Sequence, residues 1–268
     1  MTRQARKRFL IAATVISQII LLIHLLVIIY IYFAQQQFMD TEIYSTIFPS
    51  GNLNMLMLNL ALQGAVSSGA LLGLYFFFRK TPSAEVFFFE FALLGFSLST
   101  LRILAVPLAL QITSLFALQP LSKLLFFGRF FAVLSLFFSG LFSTGLAYQK
   151  QGGYLLIEFI IALILSTVLP LDCTLFDPPL ICRLGQGSGF GIAYYVIGAI
   201  AMLNYLYASA LHSSRDYVFN AISILLVFSG MELSYHCAHI PAGLFGALLV
   251  ITGTVLFAHR THAIYQWF

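Results

Sequence analysis

Apolar residues run almost without interruption along the chain, broken by short clusters of polar, proline and basic residues. The unbroken stretches fall near residues 9–33, 53–78, 85–108, 124–147, 153–170, 189–211, 217–236 and 240–258. A helix needs about 20 apolar residues to cross a hydrocarbon layer about 30 Å thick, and each stretch is close to that length. The pattern therefore predicts an all-α integral membrane protein of about eight transmembrane helices. The 268 residues leave only short connectors, so a single polytopic membrane domain over residues 1–268 is expected, with no soluble domain. Composition agrees: 60% of residues are hydrophobic and 8% charged, against about 25% charged in a soluble domain.

Charge then orients the spans. With the N-terminus inside, Arg3, Arg6, Lys7, Arg8, Arg79, Lys80, Lys150, Arg215 and Arg260 all fall on the cytoplasmic side. Only Lys123 and Arg183 fall in or near outer connections, with Arg102 and Arg129 inside spans. The positive-inside rule places both termini in the cytoplasm, and the expected location is a bacterial inner (plasma) membrane. The first stretch has no small-residue cleavage site before Gln35 and reads as a membrane helix rather than a removable signal. A net charge of +4 with cations at helix ends suits anionic headgroups, so the lipid bilayer and not nucleic acid is the expected partner.

Cys173 and Cys182 flank the connection between spans five and six, with Cys237 at the outer end of span seven. On an oxidising face Cys173 and Cys182 are a candidate disulfide around a turn containing Pro178-Pro179, with Cys237 as a competing partner. The chain also reads as two parallel four-helix repeats, residues 1–150 and 151–268. Arg79 and Arg215, and Pro107 and Pro241, lie about 135 positions apart, and an insertion near 108–122 is expected to form a short interfacial or re-entrant helix.

Ionisable residues inside spans are the candidate chemistry, because each costs about 2.5–3.5 kcal/mol at a bilayer centre and requires a partner or water. His24, Arg102, Arg129, Glu232, Tyr235, His236 and His239 all fall in the outer half and form the candidate ligand-binding set. Two guanidiniums there suit an anionic headgroup or carboxylate, and the histidines suit proton sensing. The competing reading is an Arg102–Glu232 ion pair of purely structural purpose. Glu90 and Glu158, near the inner face, are expected to be anchored by Lys80 or Lys150. Asn59 and Gln63 read as interhelical hydrogen bonds, and Gly69 and Gly73 as a close helix approach that would make spans two and six central. Phe77 and Phe87 to Phe89 read as lipid-facing or packing bulk.

No metal, haem or other cofactor is expected: His-Glu-x-x-His is absent and Pro241 interrupts the helix beyond His239. No catalytic residue is assigned, since neither Ser139-Gly140 nor Ser229-Gly230 has a supporting histidine and Arg215 falls on the opposite side from Cys182 and His239. The expected function is binding, with translocation as its extension, of a small anionic or lipid-like solute through the outer polar pocket. Two alternatives stand beside it. One is a receptor-like sensor signalling through a separate membrane or cytoplasmic protein partner. The other is a membrane-embedded enzyme acting at the outer face.

Overall fold

The structure, a computed structural model, describes residues 3–39, 53–78, 83–111, 118–146, 150–177, 181–184, 188–235 and 240–265. Its long helices are α1 (Arg3–Met39), α2 (Leu53–Phe77), α3 (Ala84–Ser99), α4 (Gln119–Ser143), α5 (Gln151–Val168), α6 (Ser188–His212), α7 (Asp216–Tyr235) and α8 (Ile240–Tyr265). Among the described residues, eight helical segments, α3 counted with its continuation to Leu108, are long and apolar enough to cross a membrane. Their limits lie within several residues of those expected, because an uncharged apolar run of this length is satisfied by little else.

Two features depart from an all-helical reading. Between α5 and α6 the chain forms an antiparallel hairpin of β1 (Leu171–Asp177) and β2 (Ile181–Leu184), which brings Asp172 opposite Arg183. Its Cys173 and Cys182 stand with Cα atoms 4.4 Å apart and their sulfurs joined. Beyond α3 the chain tightens into a 3₁₀ turn, Thr100–Leu104, then resumes as an α-helix over Ala105–Gln111. The hydroxyls of Ser99 and Thr100 donate back to the carbonyls of Phe96 and Ser97, each at 2.7 Å, which favours the tighter three-residue turn. The short helix expected near 108–122 is thus in part an extension of α3, and residues 112–117 lie outside the described set.

Helices 2, 3, 4, 6, 7 and 8 close a ring in that order, α8 returning to α2, while α1 packs on α2 and α3 and α5 packs on α4. The core is aromatic. Phe87, Phe88 and Phe89 of α3 are fully buried, with Phe88 stacked on Phe142 and Phe89 on Phe257. These phenylalanines are packing bulk, whereas Phe77 is 54% exposed.

One close helix crossing occurs twice in the same form. A methyl added to Gly95 of α3 would meet the Gly128 carbonyl and the Ala132 nitrogen of α4, both at 2.7 Å. One added to Gly230 of α7 would meet the Gly246 carbonyl at 2.7 Å and the Val250 nitrogen at 2.9 Å on α8. Reciprocally, Gly128 faces Ser99 and Gly246 faces Ser234. Gly95-Phe96-Ser97-Leu98-Ser99 and Gly230-Met231-Glu232-Leu233-Ser234 carry matching residues at the contact positions, about 135 positions apart. These glycines, rather than Gly69 and Gly73, allow the backbones to approach. Added methyls at Gly69 and Gly73 would meet nothing within 4 Å. Nor are α2 and α6 the centre: α3 and α4 are the most buried, and the α6 span is 22% buried.

Candidate functional site

Of the expected outer residues, His24, Arg102, Arg129, Glu232 and Tyr235 gather at the hairpin end of the ring, and the 3₁₀ turn of the α3 segment positions Arg102. Arg102 lies within it and is 1% exposed. Its guanidinium donates to the carbonyls of Tyr235 at 3.1 Å and Ser234 at 3.3 Å, and to Gln63 Oε1 at 3.2 Å. Ser234 and Tyr235 are the last described residues of α7. Arg102 therefore ties the α3 segment to the last described turn of α7. Gln63 relays the contact, its amide donating to Ser99 Oγ at 2.9 Å, as expected of an interhelical bond.

Glu232 pairs instead with Arg129 of α4. Arg129 Nη2 lies 2.6 Å from Glu232 Oε1, and the Tyr195 hydroxyl donates to the other carboxylate oxygen at 2.9 Å. The Arg102–Glu232 ion pair expected from position along the spans is thus corrected: the ring order places α4 and α7 on either side of α6, whereas Arg102 reaches the end of α7 one turn further on. The Arg129 guanidinium lies 3.6 Å from the centre of the Tyr235 ring and 4.6 Å from that of Tyr194, so two aromatic faces cover it. Tyr235 also lies 5.2 Å from the Arg102 guanidinium, and one ring thereby serves both cations.

This cluster is closely filled. A crevice of about 10 Å³ remains among Phe96, Ser99, Arg129, Tyr194, Glu232 and Tyr235, room for at most one water. The side chains of Arg129 and Glu232 are 14% and 12% exposed, and Tyr195 beside them is 50% exposed, so the pair is reached from the side between α6 and α7. Tyr194 and Tyr195 were not singled out in the sequence. Their signal is the tyrosine doublet in the second turn of α6, at the same level as Glu232.

His24 is fully buried against Gly64 and Thr100, within range of the Arg102 charge, and neither of its ring nitrogens has a hydrogen-bond partner among the described residues. Asn59, 3% exposed, likewise leaves both amide atoms without a hydrogen-bond partner, so among the described residues it makes no interhelical bond of the kind expected. Buried polar atoms are nearly always bonded, which makes these two conspicuous in a wall that also holds a guanidinium. His236 and His239 lie outside the described residues, as does Cys237. Among the described residues, no three His, Cys, Asp or Glu side chains are placed to hold a metal.

The opposite end of the ring, where α1 begins and α8 ends, carries carboxylates. Glu85, Glu90 and Glu158 are each no more than 1% exposed. Ser135 donates to Glu158; one turn on, the Ser139 hydroxyl donates to the Glu85 carbonyl at 2.8 Å and shares a 2.7 Å hydrogen bond with the Tyr205 hydroxyl. Lys150 does not anchor Glu158, being exposed, and Lys80 lies outside the described residues. The Arg6 charge reaches Glu90, whose oxygens have no hydrogen-bond partner among the described residues. Glu85 was not anticipated, because its place in the first turn of α3 resembles an ordinary dipole contact.

No protein family, curated protein or solved structure matches the chain.

Proposed function

We propose that the protein is a polytopic membrane protein of the bacterial inner membrane that binds an anionic small or lipid-like solute at Arg129, through the lateral opening between α6 and α7. The observation that carries this reading is the carboxylate of Glu232, held against a tyrosine-covered guanidinium at the edge of the bundle. A buried ion pair returns little stability for the desolvation of its members, so an ionic group kept inside a bilayer favours a binding role. Glu232 occupies the position that a solute carboxylate or phosphate would take, and Tyr195 holds it there from the exposed side. A solute enters as Glu232 swings out, exchanging one anion for another on Arg129. The unbonded groups of His24 and Asn59 extend the polar wall deeper into the same end.

The orientation belongs to the same reading. Arg6, Lys7, Arg8, Lys150, Arg215 and Arg260 gather at the end opposite the hairpin, which favours a cytoplasmic location for both termini and an oxidising one for the Cys173–Cys182 bridge. The paired glycine crossings favour the two-repeat origin, with the ring as its symmetric part and α1 and α5 as its divergent part.

The test is retention of a fatty acid by purified protein, read by native mass spectrometry. Removing the competing carboxylate in Glu232→Gln raises retention, and Arg129→Ala abolishes it. Equal retention in wild type and both variants would overturn the proposal.

A further inference from the structure

The repeated crossings have a seam on each side, and the two seams differ. Extended along the helices, the correspondence sets Gly140 of α4 against Ala258 of α8, and Asn204, Tyr205 and Ala208 of α6 against Gly69, Ala70 and Gly73 of α2. At the α4–α6 seam the space is filled. A methyl on Gly140 would meet the Ala201 carbonyl at 2.7 Å and the Tyr205 ring at 3.3 Å, and Tyr205 is fully buried with its hydroxyl on Ser139. At the α2–α8 seam no ring occupies the corresponding place. A groove of about 650 Å³ remains, lined by Gly69, Ala70, Gly73, Phe77, Thr254 and His259.

We infer that this groove seats an acyl chain of an anionic phospholipid of the termini-side leaflet, a second site distinct from the polar cluster at the hairpin end. Three observations fix the occupant. The flanking side chains Phe77, Ile251 and Val255 are 54%, 44% and 62% exposed and apolar, which is the surface of a helix that faces hydrocarbon. Thr254 lines the groove, is 6% exposed, and its hydroxyl has no hydrogen-bond partner among the described residues. It lies five residues from His259, about 7.5 Å along the helix, the depth at which glycerol ester carbonyls follow a phosphate at the surface. The groove ends in imidazoles: His259 lines it and is exposed, and Phe77 meets the His262 ring at 5.1 Å. Phosphate at His259, an ester carbonyl accepting from Thr254, and methylenes over Gly69 and Gly73 together match one amphiphile.

The experiment reconstitutes the full chain into vesicles of phosphatidylglycerol or of phosphatidylcholine with the same acyl chains, extracts it in mild detergent, and counts retained lipid by native mass spectrometry. Wild type retains one phosphatidylglycerol and holds it about tenfold more than phosphatidylcholine. Filling the groove with Gly69→Leu and Gly73→Leu lowers retention about tenfold, Thr254→Val lowers it several-fold, and Gly153→Leu, at an open position elsewhere, leaves it unchanged. Thermal unfolding identifies a filled variant that fails to fold, and Thr254→Val then decides. Three results would overturn the inference: no lipid on wild type, retention indifferent to the filled groove or to Thr254→Val, or a dimer that the filled groove dissolves. Because Arg129 lies at the other end, loss of binding in Arg129→Ala with this lipid retained separates the two sites.

Discussion

At the hairpin end, Arg102 and Arg129 meet backbone carbonyls, an amide oxygen, a carboxylate and two tyrosine rings. At the termini end, Glu85, Glu90 and Glu158 lie equally deep among phenylalanines, and the described partner of the Glu158 carboxylate is a serine hydroxyl. In the first arrangement Arg129 depends on a charge of opposite sign; the second accommodates an acid among neutral donors. Depth alone therefore does not determine what a buried ionisable residue contributes. What surrounds it does.

The largest effect that tests this contrast is expected from Arg129→Ala, which strands Glu232 and lowers unfolding free energy by about 3–5 kcal/mol. The double variant Arg129→Met, Glu232→Met recovers most of that loss. Denaturation in detergent measures both, and a single variant as stable as wild type would remove the distinction between the two ends. A smaller change, about 2–3 kcal/mol, is expected when Cys173→Ser opens the hairpin loop. Thiol labelling with and without reductant checks the bond itself: Cys173 and Cys182 should become reactive only after reduction, from the face opposite the termini. The smallest effect belongs to Glu158→Gln, within about 1 kcal/mol, because a neutral amide can still take the Ser135 hydrogen bond. A loss matching that of Arg129→Ala would erase the comparison.

The eight helices were legible because their signal is local: length, apolarity and flanking charge lie within each segment. The grouping of Arg102, Arg129, Glu232 and Tyr235 at one level was legible for a related reason, since alternate threading fixes depth. Which arginine meets Glu232 was not legible, because it depends on the ring order of α4, α6 and α7, to which apolar sequence contributes little. The hairpin was missed for want of a long alternating pattern; β2 is four residues and is recognisable mainly by its pairing with β1. Gly69 and Gly73 have the spacing of a helix contact yet border a groove. The same spacing permits close approach without compelling it, and what decides is the bulk on the facing helix.

One consequence of α1 concerns the order of assembly. Only 33% of its span is buried, and Ser17 joins it to Ser68 of α2 at 2.8 Å and to Ser97 of α3 at 3.1 Å, with Gln18 donating to the Ser68 carbonyl. In a bilayer the lipid is as apolar as the rest of this helix, so those hydroxyls rather than hydrophobic burial favour docking. A chain made from its N-terminus exposes Ser17 before either partner has been synthesised. On the proposed membrane reading, the first helix waits with its latch unfastened and becomes part of the body only when α3 arrives.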